Sequence, residues 1–370
     1  MRMLHYVIFS LALLPVALPA LAQEGNPPPP GTVDEKLVPA IMEKAVDEVI
    51  RPGYREFHAS AGRLVSAMNA LCKTPSADSL VGAKSAFDDT VRSWSHIEIV
   101  RIGPVLEGNR LERILFYPDR KSTGLKQVQA VLATRDEQDV SSDGFAERSV
   151  AVQGLGALEY VLSGTGAEDL TSEPMSFRCR YGAAVAGNIQ NVAGELVAAW
   201  DAPDGVQAAW KHPGPDNPEF RDGKEAITAL LGILVHGVEM VRDQRIETFY
   251  RSGQSNPRPK SAIYWRSGNT WSSIAGNLQG LQTLWKRSDM ASLLDPDWRS
   301  VAGSVDFVMK SLDRVAPTID PDIDEAVANE KERGKIDFLL VDTRDLIYRL
   351  NDQYGAAIGL GAGFYFSDGD

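Results

Sequence analysis

Apolar residues recur at intervals of three and four through most of the chain, which is the spacing of one face of an α-helix. Tyr181, Val185, Ile189, Val192, Leu196 and Trp200 form one such stripe, and Ile274, Leu278, Leu281 and Trp285 form another. A third runs through Ile336, Leu339, Leu340, Thr343, Leu346, Ile347, Leu350 and Tyr354. Alternating β-branched runs are scarce, and turn signals separate long periodic segments instead of short ones, so the pattern predicts an all-α protein. The expected helices span 35–71 (kinked at Pro52), 78–99, 124–134, 145–163, 178–200, 224–248, 270–286, 299–314 and 330–355.

The segment DAPDGVQAAWKHPGPDNPEFRDG, residues 201–223, is rich in Pro, Gly and Asp and divides these helices into two sets of about four. A first helical bundle over 34–200 and a second over 224–370, joined by a linker at 201–223, is the expected organisation. Residues 102–122 (IGPVLEGNRLERILFYPDRKS) interrupt the first set with Gly103-Pro104 and Tyr117-Pro118-Asp119. An irregular excursion of that length inside a compact domain is more often functional than accidental.

The N-terminus adds a location. Residues 1–22 carry Arg2, an apolar run from Val7 to Leu18 and the small-x-small ending Ala20-Leu21-Ala22, the pattern of a secretory signal peptide cleaved after Ala22. A Pro-rich lead-in (23–33) follows, and no later apolar run approaches a membrane span. An exported protein of the periplasm or cell envelope is expected. Losing Arg2 with the leader takes the formal charge from -12 to -13, an acidic balance that argues against nucleic acid as a partner and is compatible with cations. Cys72 and Cys179 are the only cysteines, and an even pair in an exported chain predicts a disulfide.

Candidate chemistry lies in a few polar residues on apolar helices. In Gly154-Leu155-Gly156-Ala157-Leu158-Glu159-Tyr160-Val161-Leu162, Glu159 shares a face with Val152, Leu155 and Leu162, so its carboxylate should point at packed surface. A buried carboxylate needs a proton, a cation or donors; a buried Glu-Arg pair is the plainer alternative. Gly154 and Gly156, each costing about 1 kcal/mol against Ala in a helix, suggest close approach of a backbone or a ligand. His236 and Glu239 stand at i and i+3 and can converge on a divalent metal, or can simply form a solvated polar face. His96 and Glu98 sit at a helix end, followed by Arg101, Arg110 and Arg113, which could neutralise a buried acid such as Glu159 or hold an anion. No HExxH, GxSxG or phosphate-binding loop is present.

Trp94 to Arg101, GNRLERILFYPDRK, SVAVQGLGALEYVL, FRCRYGAAVAGN and the terminal GLGAGFYFSDGD together resemble the imelysin-like proteins of bacterial envelopes. The resemblance implies two related four-helix bundles, and a family that includes proteins first called metallopeptidases as well as iron-regulated proteins. Its GxHxxE motif, proposed to bind metal, is matched here by Gly154 and Glu159, but Gly156 stands at the His position. Zinc hydrolysis needs three protein ligands and an open position, so the lost imidazole argues against a peptidase.

The expectation is therefore a non-catalytic periplasmic binding protein linked to iron or another divalent metal, with its site between the two bundles. Gly154, Glu159, Arg101 and Arg113 are the candidate ligand-binding residues, and Glu159, His236, Glu239 and His96 the candidate metal ligands. A metal ion (iron or zinc) or a small anion is the expected ligand, and envelope transport proteins are candidate partners. A zinc metallopeptidase and a non-catalytic envelope interaction protein are the alternatives.

Overall fold

The computed structural model describes residues 31–141, 144–252 and 256–361. The expected signal peptide and most of both the Pro-rich lead-in and GLGAGFYFSDGD lie outside those residues. Among the described residues there is no strand, and no helix is long and apolar enough to cross a membrane.

The first expected helix is three pieces in one rod: α1 (Val38–Lys44), a π-helical turn (Ala45–Ile50) and α2 (Arg51–Lys73). Pro52 has no N–H and would strip a helical bond from the turn before it. The chain answers by widening: the Arg51 N–H reaches back to Val46 O, and α2 resumes with Pro52 in its first turn. α3 (Ala77–Ile97) starts from a reciprocal cap between Ser76 and Ser79. Next come the short α4 (Arg110–Ile114) and α5 (Thr123–Thr134).

The expected helix over 145–163 is shorter than its pattern. Only α6 (Leu155–Ser163) is α-helical, preceded by 3-10 turns at Phe145–Glu147 and Val150–Val152. The Gln153 amide donates to the carbonyls of Ala146 (3.1 Å) and Arg148, and Gly154 is extended (φ -106, ψ -167) at the N-cap of α6. A side chain thus takes carbonyls that a continuous helix would have used.

α2 packs against both α3 and α7 (Phe177–Asp201), and Phe57, Trp94, Tyr181 and Trp200 on these helices are fully buried. Cys72 near the end of α2 and Cys179 at the start of α7 form the expected disulfide, with Cα atoms 5.5 Å apart. Residues 201–223, the expected linker, are packed against the first helices. They contain α8 (Val206–Lys211), whose buried Trp210 sits edge-on to Trp200 and Phe220 at 5.3 Å from each.

Beyond it α9 (Gly223–Glu239) runs through a π turn (Met240–Ile246) into α10 (Glu247–Tyr250). α11 (Thr270–Arg287), α12 (Arg299–Val315), the short α13 (Ile323–Ala328) and α14 (Glu330–Tyr348) complete the second half, where α9, α11, α12 and α14 pack together. The two halves meet along α3 and α11. A Cβ at Gly280 would lie 2.0 Å from His96 O, and one at Gly276 2.8 Å from Ser95 Cβ, so these glycines let the helices touch backbone to backbone. Ser95 Oγ and Ser273 Oγ stand 2.8 Å apart, and Asn277 Nδ2 donates to Ser95 O at 2.7 Å.

Candidate functional site

α6 is held at both ends. At its start Gly154 lies so close to the end of α4 that a Cβ would be 2.4 Å from Ile114 O. At its end the Arg178 guanidinium donates to the carbonyls of Tyr160 (2.8 Å), Val161 (2.9 Å) and Thr165 (2.8 Å), closing the helix with a cation where its dipole favours one. Glu159, in the middle, is 4% exposed, as its apolar face predicts.

Its hydrogen bonds come from the other half of the chain. Glu159 Oε1 accepts from the backbone N–H of Arg266 (2.9 Å), the N–H of Ser267 (3.0 Å) and Ser267 Oγ (3.1 Å). A tight turn aims those donors. Tyr264 takes the left-handed conformation (φ 52), a strain of about 1 kcal/mol or more for a bulky residue. Local bonds offset it: Ser267 Oγ and Asn269 N both bond Tyr264 O (3.1 Å), and the Tyr264 ring packs edge-on to Phe87. The Asn269 amide also bonds Asp88 on α3 at 2.6 Å.

Burial pushes the Glu159 carboxyl above its usual range, outweighing the opposing Ser267 and Arg266 donors and the Arg266 charge. Oε2 accepts no hydrogen bond from the described residues, and Glu159 lines a cavity of ≈ 170 Å³. The cavity draws its walls from both halves of the chain. One is the irregular excursion at Leu115, Tyr117, Asp119 and Arg120; another is α6 at Gly154, Gly156 and Tyr160; the third is the segment from Lys260 to Arg266. Gly156 is exposed and a Cβ there would meet nothing within 4 Å, so it is open space at the position of the motif's imidazole and not the close approach expected of it.

A second buried carboxylate sits nearby. Glu98 is paired with Arg245, also fully buried, and with Arg101 at 2.8 Å, and it accepts from Asn277 Nδ2 at 3.2 Å. Burial alone would raise its pKa, but the two guanidiniums and their hydrogen bonds hold it below the usual range. Arg245 also lies 4.9 Å from the centre of the Tyr117 ring, whose hydroxyl donates to Ser261 O at 3.0 Å. Burial, then the charges of Glu98 and Glu159, push the Tyr264 phenol well up, so both acids act on one side chain of the cavity wall.

The other candidates fall elsewhere. His236 Nδ1 and Glu239 Oε2 bond each other at 2.8 Å, Glu239 being 39% exposed. His96 is half-buried with its pKa lowered by burial, and its carbonyl is the atom packed against Gly280. Arg113 bonds Gln153 and Asn188 and stands 3.6 Å from Glu195; like Arg101, it is not among the residues lining the cavity. Among the described residues, no three of His, Cys, Asp and Glu come together as a metal-holding group. Missed in the sequence were Arg245, Asn277, Arg120, Lys260 and Arg266. Only Arg245 gave a signal, falling on the stripe of Leu230, Leu234, Val238 and Val241.

Comparison with known proteins completes the picture. An imelysin-like protein from Psychrobacter arcticus 273-4 matches with a TM-score of 0.75 and 17% identity over 90% of this chain and 99% of that one. A "putative iron-regulated protein A precursor" from Parabacteroides distasonis ATCC 8503 matches with a TM-score of 0.74 and 16% identity over 90% and 98%. At those identities the likeness is one of fold. No curated protein matches the sequence. The imelysin family model matches residues 50–350, most of the chain, and the protein therefore belongs to the imelysin family.

Proposed function

We propose that this protein is an exported, non-catalytic binding protein of the periplasm, concerned with uptake or handling of iron or another divalent metal, with its site in the Glu159 cavity between two helical units. The observation that carries this reading is the carboxylate itself. Glu159 is buried, its Oε1 is held by three donors, and its residue forms part of a cavity wall, so Oε2 is a pre-positioned oxygen ligand.

The signal-peptide pattern of residues 1–22 and the precursor relative support export, and that relative's iron-regulated name supports the choice of cargo. Gly156 supports binding over hydrolysis, because the imidazole that would begin a zinc site is replaced by open space. The test is calorimetric titration of metal-free protein with iron and zinc, each as the free ion and as a chelate. Binding at micromolar concentrations, weakened at least roughly tenfold in Glu159→Gln, is expected for loss of an anionic ligand. The reading fails if none of these binds and the variant is indistinguishable from the parent.

A further inference from the structure

The donors and charges around the cavity are unevenly matched. Glu159 contributes one carboxylate oxygen without a hydrogen bond from the described residues, and His236 and Glu239 are committed to each other. Zinc alone takes about four ligands, and harder ions take more. Most of a metal's ligands must therefore arrive with it.

The cations point the same way. Arg120, Lys260 and Arg266 line the cavity, and none of them forms an ion pair with a described residue. Arg266 lies 4.3 Å from the Trp265 ring centre and 5.3 Å from that of Tyr160, and Lys260 lies 5.6 Å from Trp265, so aromatic faces position two of the three. Asp119, the other acid in the lining, accepts from the N–H groups of Thr123 (2.6 Å), Gly124 (2.9 Å) and Leu125 (3.2 Å) at the start of α5 and is spent there. The lining is thus net positive in a protein whose formal charge is -12. It repels a bare cation and attracts an anion.

We infer that the cavity takes its metal as a net-negative complex with a polycarboxylate-type chelator, whose outer oxygens bind Arg120, Lys260 and Arg266 while Glu159 adds one oxygen to the metal. This rests on the reading of the cavity as a metal-handling site and names the form in which the metal enters. Arg120 and Lys260 are exposed, so their substitution does not disturb the core.

The experiment titrates the purified protein with iron(III) citrate, citrate alone and free iron(II), using the parent, the Arg120→Gln/Lys260→Gln double variant, Glu159→Gln, and Lys310→Gln as an exposed charge control on α12. The complex should bind at least roughly tenfold more tightly than citrate or free iron(II), and the double variant should lose roughly tenfold in affinity while Lys310→Gln loses none. Glu159→Gln should erase the preference for the complex over citrate. Free iron(II) binding as tightly as the complex, with the double variant indifferent, overturns this inference and leaves the metal-handling reading standing. Citrate binding as tightly as its complex also overturns it, as does an equal loss in Lys310→Gln. If none of the three binds and Glu159→Gln changes nothing, both readings fall.

Discussion

Glu98 and Glu159 are both buried carboxylates, and their surroundings drive them in opposite directions. Glu98 is neutralised by Arg245 and Arg101 and sits below the ordinary Glu value of 4.5, so its contribution to stability is present above that value and is lost as pH falls through the folded one. Glu159 meets backbone and hydroxyl donors and the half-buried Arg266 charge, which burial outweighs, and it sits above 4.5, so its contribution is greatest below that value and is lost as pH rises through the folded one. Glu98→Gln leaves Arg245 buried with its partner's charge removed and should lower the unfolding free energy by about 3–5 kcal/mol in urea at pH 7. That deficit should shrink in acid. Glu159→Gln should change stability by no more than about 1 kcal/mol at pH 7, because the lost charge-assisted bonds and the relieved burial of charge oppose each other. A loss as large as that of Glu98→Gln would make Glu159 structural. The sequence marked Glu159 as buried through its face alone. It named a buried Glu-Arg pair as the plain alternative, and that pair exists, but at Glu98.

At the level of elements, glycine divides into two kinds that sequence does not distinguish. Gly280 holds α11 against the backbone of α3, and Gly156 on α6 borders open cavity. Gly280→Ala should cost about 1–3 kcal/mol, measured as a shift in the urea midpoint, since neither backbone can retreat without separating the halves of the molecule. Gly156→His should leave stability within about 1 kcal/mol of the parent and should tighten zinc binding, because i and i+3 placement brings the new imidazole beside Glu159. Unchanged zinc affinity would mean that the two side chains do not share a ligand. Helix extents followed from periodicity except at 145–163, where the Gln153 side chain and an extended Gly154 end what the apolar pattern would have continued.

Across the whole molecule the disulfide acts on the first half, closing a loop between residues 107 apart. Replacing Cys72 and Cys179 by Ser should lower the unfolding free energy by about 4–5 kcal/mol in denaturant, the chain-entropy value for so long a loop, and reduction of the parent should match it. By itself the sequence determined the helical class, most helix positions, the cysteine pairing and the family, because these rest on local period, on there being two cysteines in all, or on a run of residues such as Trp94–Asn188. It also marked the excursion at 102–122, part of which became a cavity wall. Only the tertiary structure decided what meets Glu159, since Ser267 lies 108 residues away and Arg245 reaches Glu98 across 147. A hydrogen bond requires donors within about 3 Å, and helical period says which face a residue occupies but not which distant turn is packed against it.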